Sequence, residues 1–337
     1  MLRLLADDLT GALDSAARFV PLTGPLPVVW SGDAPAGHAA LDSGTRNLDA
    51  AAAAERVAAL APLLADGAPA FKKIDSLLRG HVAVELAACM RWFDRCILAP
   101  AFPFQGRITI GGRQLVQDGD GWRDTGLDLA AALRAHGVDA ELCDAATDAE
   151  LDAIVAAGRL LPGRVLWCGT GGLAGALAET RDAPCPPLPG PVLALIGSDH
   201  AVALAQLTAV GDRLHRVTEP DAATISALRA SLEGGAAAVC LALPPHALRA
   251  EAADRIGACF AALLHALPRP GTLVVAGGET LRDLCRRLGV SRLEVDGEVV
   301  PGVPTSRFCG GAWDGQRVVS KSGAFGAAGF LAELLGG

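Results

Sequence analysis

The chain has 337 residues, 51% of them hydrophobic and 20% charged, with a formal charge of −8. That length favours two domains, each able to bury a core, and the acidic balance argues against a general binder of nucleic acid or of membrane surfaces. Nine cysteines without a C-x-x-C pair indicate neither a disulfide framework nor a zinc site; with carboxylates already at residues 7 and 8 and no apolar run of membrane-spanning length, a cytoplasmic protein is expected.

In chain order, short apolar runs alternate with longer segments of helical period. LRLLA (2–6) reads as a strand and 10–20 as a helix. PVVW (27–30) and HAAL (38–41) are predicted strands, and 48–65 an Ala-rich helix. PAFKKI is a strand ending at Asp75, and Val82, Leu86, Met90 and Phe93 give 77–93 a helical stripe. RCILAPAF is the next strand, and RITIGGRQLV alternates like a hairpin broken by a glycine pair. A helix (125–136), a strand (140–143), a helix (147–157), the strand VLWC and a helix (172–179) follow.

The Pro-rich stretch 183–191 separates this region from a second patterned one. There VLALIG, AAVCLAL and TLVVAG read as buried strands among helices 200–212, 221–233, 246–266 and 280–288, before VVSKSG and a last helix, 325–335. The expectation is an α/β protein of two domains, 1–183 and 192–337, joined by a linker at 184–191. Each domain has a mainly parallel sheet flanked by helices. In such sheets ligands bind beyond the carboxyl ends of strands, which is where the polar clusters fall.

LLADDLTG places Asp7 and Asp8 at the end of the first strand. Strand alternation would send at most one of these carboxylates into a given cleft. That one is a general base or an acceptor for substrate hydroxyls, or else simply a helix N-cap. Arg46, in LDSGTRN, can fork onto a carboxylate or be a solvated loop residue. FKKIDSLLRG (71–80) gathers Lys72, Lys73, Asp75, Ser76 and Arg79. Ser76 is expected to cap the following helix and Arg79 to lie in its first turn, where a cation opposes the helix dipole unless an anion compensates it. The stretch therefore suits a small carboxylate or phosphate, the alternative being an internal salt-bridge cluster.

Of the 29 basic residues only Lys72, Lys73 and Lys321 are lysine, so in an Arg-rich background these positions point to a need for a compact ammonium. Arg107, in the turn QGR after another strand, is a second-rank ligand. GTGGLAG (169–175) fits a dinucleotide fingerprint and suggests NAD, but the Pro-rich linker begins where the acid-ended second strand should be. Later strands end at Ser198, at Gly277-Gly278-Glu279-Thr280 and at Lys321-Ser322-Gly323. Their glycines would let backbone amides approach a polyphosphate closely. No Walker P-loop is present.

Taken in order, A-D-D-x-T-G-A, K-K-x-D-S-x-L-R-G, P-A-F-P-x-x-G-R-x-T, W-x-G-x-x-G-L-A, a G-S strand end, G-G-E-T and K-S-G-x-F-G resemble the four-carbon acid sugar kinase family. The sequence departs from the usual pattern at Leu77, His81, Asp199-His200, Glu279 and Ala324. The resemblance implies an N-terminal sugar-acid-binding domain and a C-terminal ATP-binding domain with the active site in the cleft between them. It implies ATP-dependent phosphorylation of a threonate, erythronate or 3-oxo-tetronate type acid, with Mg2+. It implies Asp8, Arg46, Lys72, Lys73, Asp75 and Arg79 along the acid-sugar side; Asp8 is the expected base with Asp75 as rival, and Asp7, Ser76 and Arg107 are further candidate ligands of the acid. Ser198, Gly277, Gly278, Glu279, Thr280, Lys321 and Gly323 would take the nucleotide. The partners are then a sugar acid and ATP, not nucleic acid or membrane, with a homodimer as one assembly. A non-catalytic sugar-acid sensor and an NAD enzyme using GTGGLA are the alternatives.

Overall fold

The first strand and helix set the pattern for the whole chain. β1 (Arg3–Ala6) is buried at every position, as expected of a strand covered on both faces. It runs through Asp7-Asp8 into α1 (Leu9–Thr23), whose first turn is capped by the Asp8 carboxylate accepting from Gly11 N. The computed structural model describes residues 1–31, 35–179, 183–243 and 248–336, and the chain divides into two units, Met1–Pro184 and Cys185–Gly337.

In the first unit the chain continues through β2 (Leu26–Val29), β3 (Ala39–Asp42), α2 (Ala50–Ala65), β4 (Ala70–Lys73), α3 (Val82–Met90) and β5 (Arg95–Ala99). A hairpin extension follows: β6 (Arg107–Ile110), β7 (Arg113–Asp118) and β8 (Gly121–Asp124). Then come α4 (Leu129–Ala135), β9 (Glu141–Leu142), α5 (Asp148–Gly158), β10 (Val165–Gly169) and α6 (Gly171–Leu177). Seven of these strands form a parallel sheet in the order β2-β3-β1-β4-β10-β5-β9. The order reverses direction at β1, between β3 and β4, which makes the carboxyl end of β1 a topological switch point. Leu5, Val57, Leu64, Leu86, Leu98 and Leu166 lie in the core on one side of it. The remaining three strands form the antiparallel sheet β6-β7-β8, with Gly111 and Gly112, both at positive φ, turning β6 into β7.

The second unit runs β11 (Val192–Ile196), α7 (Ala201–Val210), β12 (Leu214–Val217), α8 (Ala222–Glu233), β13 (Ala236–Leu241) and α9 (Arg249–Ala266). It continues with β14 (Thr272–Ala276), α10 (Gly278–Leu288), β15 (Arg292–Glu298), β16 (Pro304–Cys309), β17 (Arg317–Lys321) and α11 (Phe330–Leu334). Its strand order is β12-β13-β11-β14-β17-β16-β15, parallel as far as β17 and antiparallel beyond. A second switch point lies between β11 and β14.

Several predicted bounds change. The helix expected over 77–93 is α3, Val82–Met90. Residues 75–80 form a tight loop instead, in which Leu78 sits at φ 58 and Gly80 at φ 86. Neither conformation belongs to a right-handed helix. The helix expected at 325–335 starts only at Phe330. The first residues of the one expected at 246–266, His246 and Ala247, lie outside the described residues. The strands β8, β12, β15 and β16 were not predicted. None is a run of consecutive apolar residues, and β15 is interrupted by a register shift between Val295 and Gly297. Among the described residues no helix is long and apolar enough to cross a membrane.

Candidate active site

The carboxyl ends of β1, β3 and β4 bring a dense set of charges together. β1 ends at Ala6, so strand alternation stops before the aspartates, and both turn to the same partner. Arg46, just beyond β3, forks onto Asp7 through Nε and Nη2 (2.8 Å each), and its Nη1 donates to Asp8 Oδ2 at 2.5 Å. This corrects the expectation that the two acids would face opposite ways. The same Nη1 lies 3.6 Å from Asp75 Oδ1. One guanidinium thus serves three carboxylates, and their charges hold its proton more tightly than usual despite its burial. Gly80 passes so close that a Cβ there would lie 3.1 Å from Asp7 Oδ2.

Asp8 and Asp75 differ in readiness to take a proton. Burial pushes the Asp8 carboxyl above the usual range, opposed in part by Arg46 and Lys73. Asp75 is buried too, yet a fork from Arg79 (Nε 2.8 Å, Nη2 2.7 Å) and the charge of Arg46 outweigh burial and hold its carboxyl well below that range. Asp75 Oδ2 also accepts from the amides of Leu77 and Arg79, at 3.1 and 3.3 Å. Asp75, not Ser76, therefore organises this loop. Ser76 is not the expected N-cap: α3 begins at Val82 after His81, with no side-chain cap. Ser76 contributes its carbonyl to Gln114 Nε2 at 2.9 Å. Arg79 lies outside the helix, so its charge is compensated by Asp75 rather than set against a dipole.

Lys73 lies over the start of α1. Its Nζ donates to the Ile74 carbonyl at 2.9 Å and stands 4.0 Å from Asp14 Oδ2. A Cβ on Gly11 would sit 2.7 Å from Asp8 Oδ1 and 3.1 Å from Lys73 Nζ, so the glycine lets lysine and aspartate converge. Arg107, at the start of β6, completes the ring. Burial lowers its pKa against the pull of Asp75, its Nη1 donates to the Gln105 carbonyl, and its buried Nε finds no hydrogen-bond partner among the described residues.

Lys72 departs from the expected acid-binding set. Adjacent to Lys73 on a strand, it points to the opposite face and is fully buried, with Nζ 2.7 Å from Glu85 Oε2. Burial disfavours its charge, but Glu85 more than compensates and the pKa rises above the ordinary lysine value. GTGGLAG also serves packing: its residues are buried, and Cβ atoms on Gly171, Gly172 and Gly175 would meet Asp14, the Ala101 carbonyl and Arg18. That leaves no room for a dinucleotide.

In the second unit the predicted residues gather at the ends of β11, β14 and β17, three neighbouring strands. A Cβ on Gly323 would run into the Ser198 side chain, and one on Gly197 into Thr280. Gly277 takes φ 114 and donates its amide to the Lys321 carbonyl at 3.1 Å. Gly278 opens α10, with no side chain capping its first turn and Glu279 within it. A helix start without a capping side chain suits an anion. Lys321 is 1% exposed, and its Nζ donates to the Ser322 carbonyl at 3.0 Å. Burial alone lowers its pKa to about 8, with no acidic side chain opposing it. Gln206 ties the loop after β17 to α7 through the carbonyls of Phe325 and Ala327.

Sequence reasoning missed Gln206, Gln114 and Glu85. Glu85 had a signal: it is the only charge in VAVELAACM and lies on the buried stripe of α3.

The comparisons follow this division. Residues 2–128 match the family model of a sugar-binding N-terminal domain, and residues 193–331 that of a nucleotide-binding C-terminal domain. A D-threonate kinase of Cupriavidus necator is 33% identical over 96% of this chain and 94% of its own. A D-threonate kinase of Bordetella bronchiseptica is 30% identical over the same shares. A solved structure from Salmonella typhimurium LT2, 21% identical, superposes with a TM-score of 0.72 over 98% of this chain and 97% of its own, which shows a common fold. Similarity that runs through both halves at this level settles the matter, and the chain belongs to the four-carbon acid sugar kinase family.

Proposed function

We propose that this kinase transfers the γ-phosphate of ATP to a hydroxyl of a four-carbon sugar acid, with D-threonate the first candidate because the relatives matched along nearly their whole length bear that name. Phosphoryl transfer depends mainly on alignment and charge neutralisation. Arg107 and Lys73 receive the substrate carboxylate. Asp8 accepts the proton of the attacking hydroxyl, since its raised pKa suits a base, whereas Asp75 is locked as an anion by Arg79. Asp7 fixes Arg46, and Arg46 in turn fixes Asp8. On the nucleotide side, the amides at the start of α10, Ser198, Thr280 and the close-approach glycines 277 and 323 take the phosphates, and Lys321 balances their charge. Magnesium supplies neutralisation of the triphosphate when bound, and phosphate oxygens are the hard ligands it prefers.

One observation carries the acid-binding reading. Arg107 brings a buried guanidinium nitrogen, without a partner among the described residues, into a cluster whose other arginines are engaged by aspartates. Such a group is costly unless an anion joins it. The test is ADP release with ATP and magnesium over D-threonate, D-erythronate and 3-oxo-tetronate. Turnover of at least one acid, abolished in Arg107→Ala, is the expected result, and background ADP with all three overturns the proposal.

A further inference from the structure

Beneath the charged ring lies a second polar layer that is almost wholly buried. Glu85, 2% exposed, stands in the first turn of α3, where a carboxylate is favoured by the helix dipole. Its Oε2 meets Lys72 Nζ at 2.7 Å, and its Oε1 accepts from Thr45 Oγ1 at 2.6 Å. Thr45 Oγ1 shares a 2.8 Å hydrogen bond with Ser43 Oγ, which also bonds the Ala6 carbonyl at 2.8 Å. Lys72 Nζ donates onward to the Lys73 carbonyl at 3.1 Å. Each branch reaches the edge of the proposed site: Ala6 precedes Asp7, Thr45 precedes Arg46, and Lys72 bonds the backbone of Lys73 itself.

We propose that Glu85 is a positioning residue for the acid site, joining the ends of β1, β3 and β4 so that Arg46, Asp7 and Lys73 keep the spacing the reaction needs. The inference rests on the acid-binding reading above. A buried ion pair is a poor source of net stability, because desolvating two charges offsets their attraction. The role assigned to the pair is instead to hold three strand ends in register, which directional polar contacts do and which the apolar replacement below puts to the test. Misplacing a reacting group by about 1 Å costs on the order of 100-fold in rate, so even a small relaxation is readable.

The test uses the full chain with Glu85→Leu combined with Lys72→Met, which removes both charges together, and Glu85→Gln alone. Thermal midpoints, kinetics with the preferred acid, the KM for ATP, and crystal structures of wild type and variants are compared. The double variant is expected to melt within a few degrees of wild type, to lose tenfold or more in kcat/KM for the acid, and to keep its KM for ATP within twofold. The Arg46 guanidinium should move away from Asp7 and Asp8. A folded double variant with wild-type kcat/KM and an unmoved Arg46 overturns the proposal. Should the double variant not fold, Glu85→Gln, which keeps the acceptor atom for Thr45, decides by the same two readouts. If wild type phosphorylates none of the acids, the functional reading fails, and the displacement of Arg46 in the variant crystals still decides the positioning role by itself.

Discussion

At the scale of single residues, the two candidate bases are separated by their surroundings. Burial with partial compensation raises the Asp8 carboxyl, while Arg79 and Arg46 hold Asp75 well below the usual range, so of these two Asp8 is the better proton acceptor. Asp8→Asn should lower kcat by about 100-fold or more with little change in the KM of either substrate. In wild type the deprotonated form is the active one. kcat should therefore fall as pH drops through the raised pKa of Asp8, and the Asn variant should lack that limb; rate–pH profiles of both proteins check it. Lys321 makes the opposite kind of prediction. Its folded pKa of about 8 lies below the ordinary lysine value of 10.5, so between these values the unfolded chain binds a proton that the folded chain has released. Its contribution to stability then rises with pH across that window. Lys321→Met should flatten this part of the curve in denaturant titrations run at several pH values.

At the scale of elements, the site is set by where strands stop. The strands themselves were legible because covered parallel strands are short apolar runs between helical stripes, as in VLALI and TLVVA. Arg46, Lys73, Asp75 and Arg79 were legible as charges at strand ends. Their pairing was not, because it depends on β1 ending at Ala6 and on the left-handed turn at Leu78, which no periodicity announces. For the same reason Ser76 was read as a cap that the 75–80 loop does not require, and Lys72 as a ligand although strand alternation sends it to the other face. The nucleotide-side glycines were legible as a class, but the reason for two of them is steric. Gly323→Ala should push Ser198 aside, costing about 1–3 kcal/mol of stability and raising the KM for ATP while leaving the KM for the acid unchanged; thermal melts and kinetics measure both. Gln114 joins the β6–β7 hairpin to the carbonyls of Ser76 and Pro100. Gln114→Ala should cost about 1–3 kcal/mol and weaken acid binding more than ATP binding, as denaturant titration and kinetics would show.

At the scale of the whole molecule, the proline-rich segment was the clearest long-range signal, because no packed element tolerates such density of proline. The net charge said little about a site whose cations are nearly all matched by local aspartates. Every residue assigned to the acid lies within Met1–Pro184, and every one assigned to the nucleotide within Cys185–Gly337. Apart from Arg107, at the start of β6, the acid-side residues stand about the switch point at β1, and the nucleotide-side residues stand at the ends of β11, β14 and β17. A reaction laid out this way has no reason to impose an order of addition. Initial-rate plots should give intersecting rather than parallel lines, each substrate should protect the enzyme without the other, and no phosphorylated enzyme should accumulate when ATP is supplied alone.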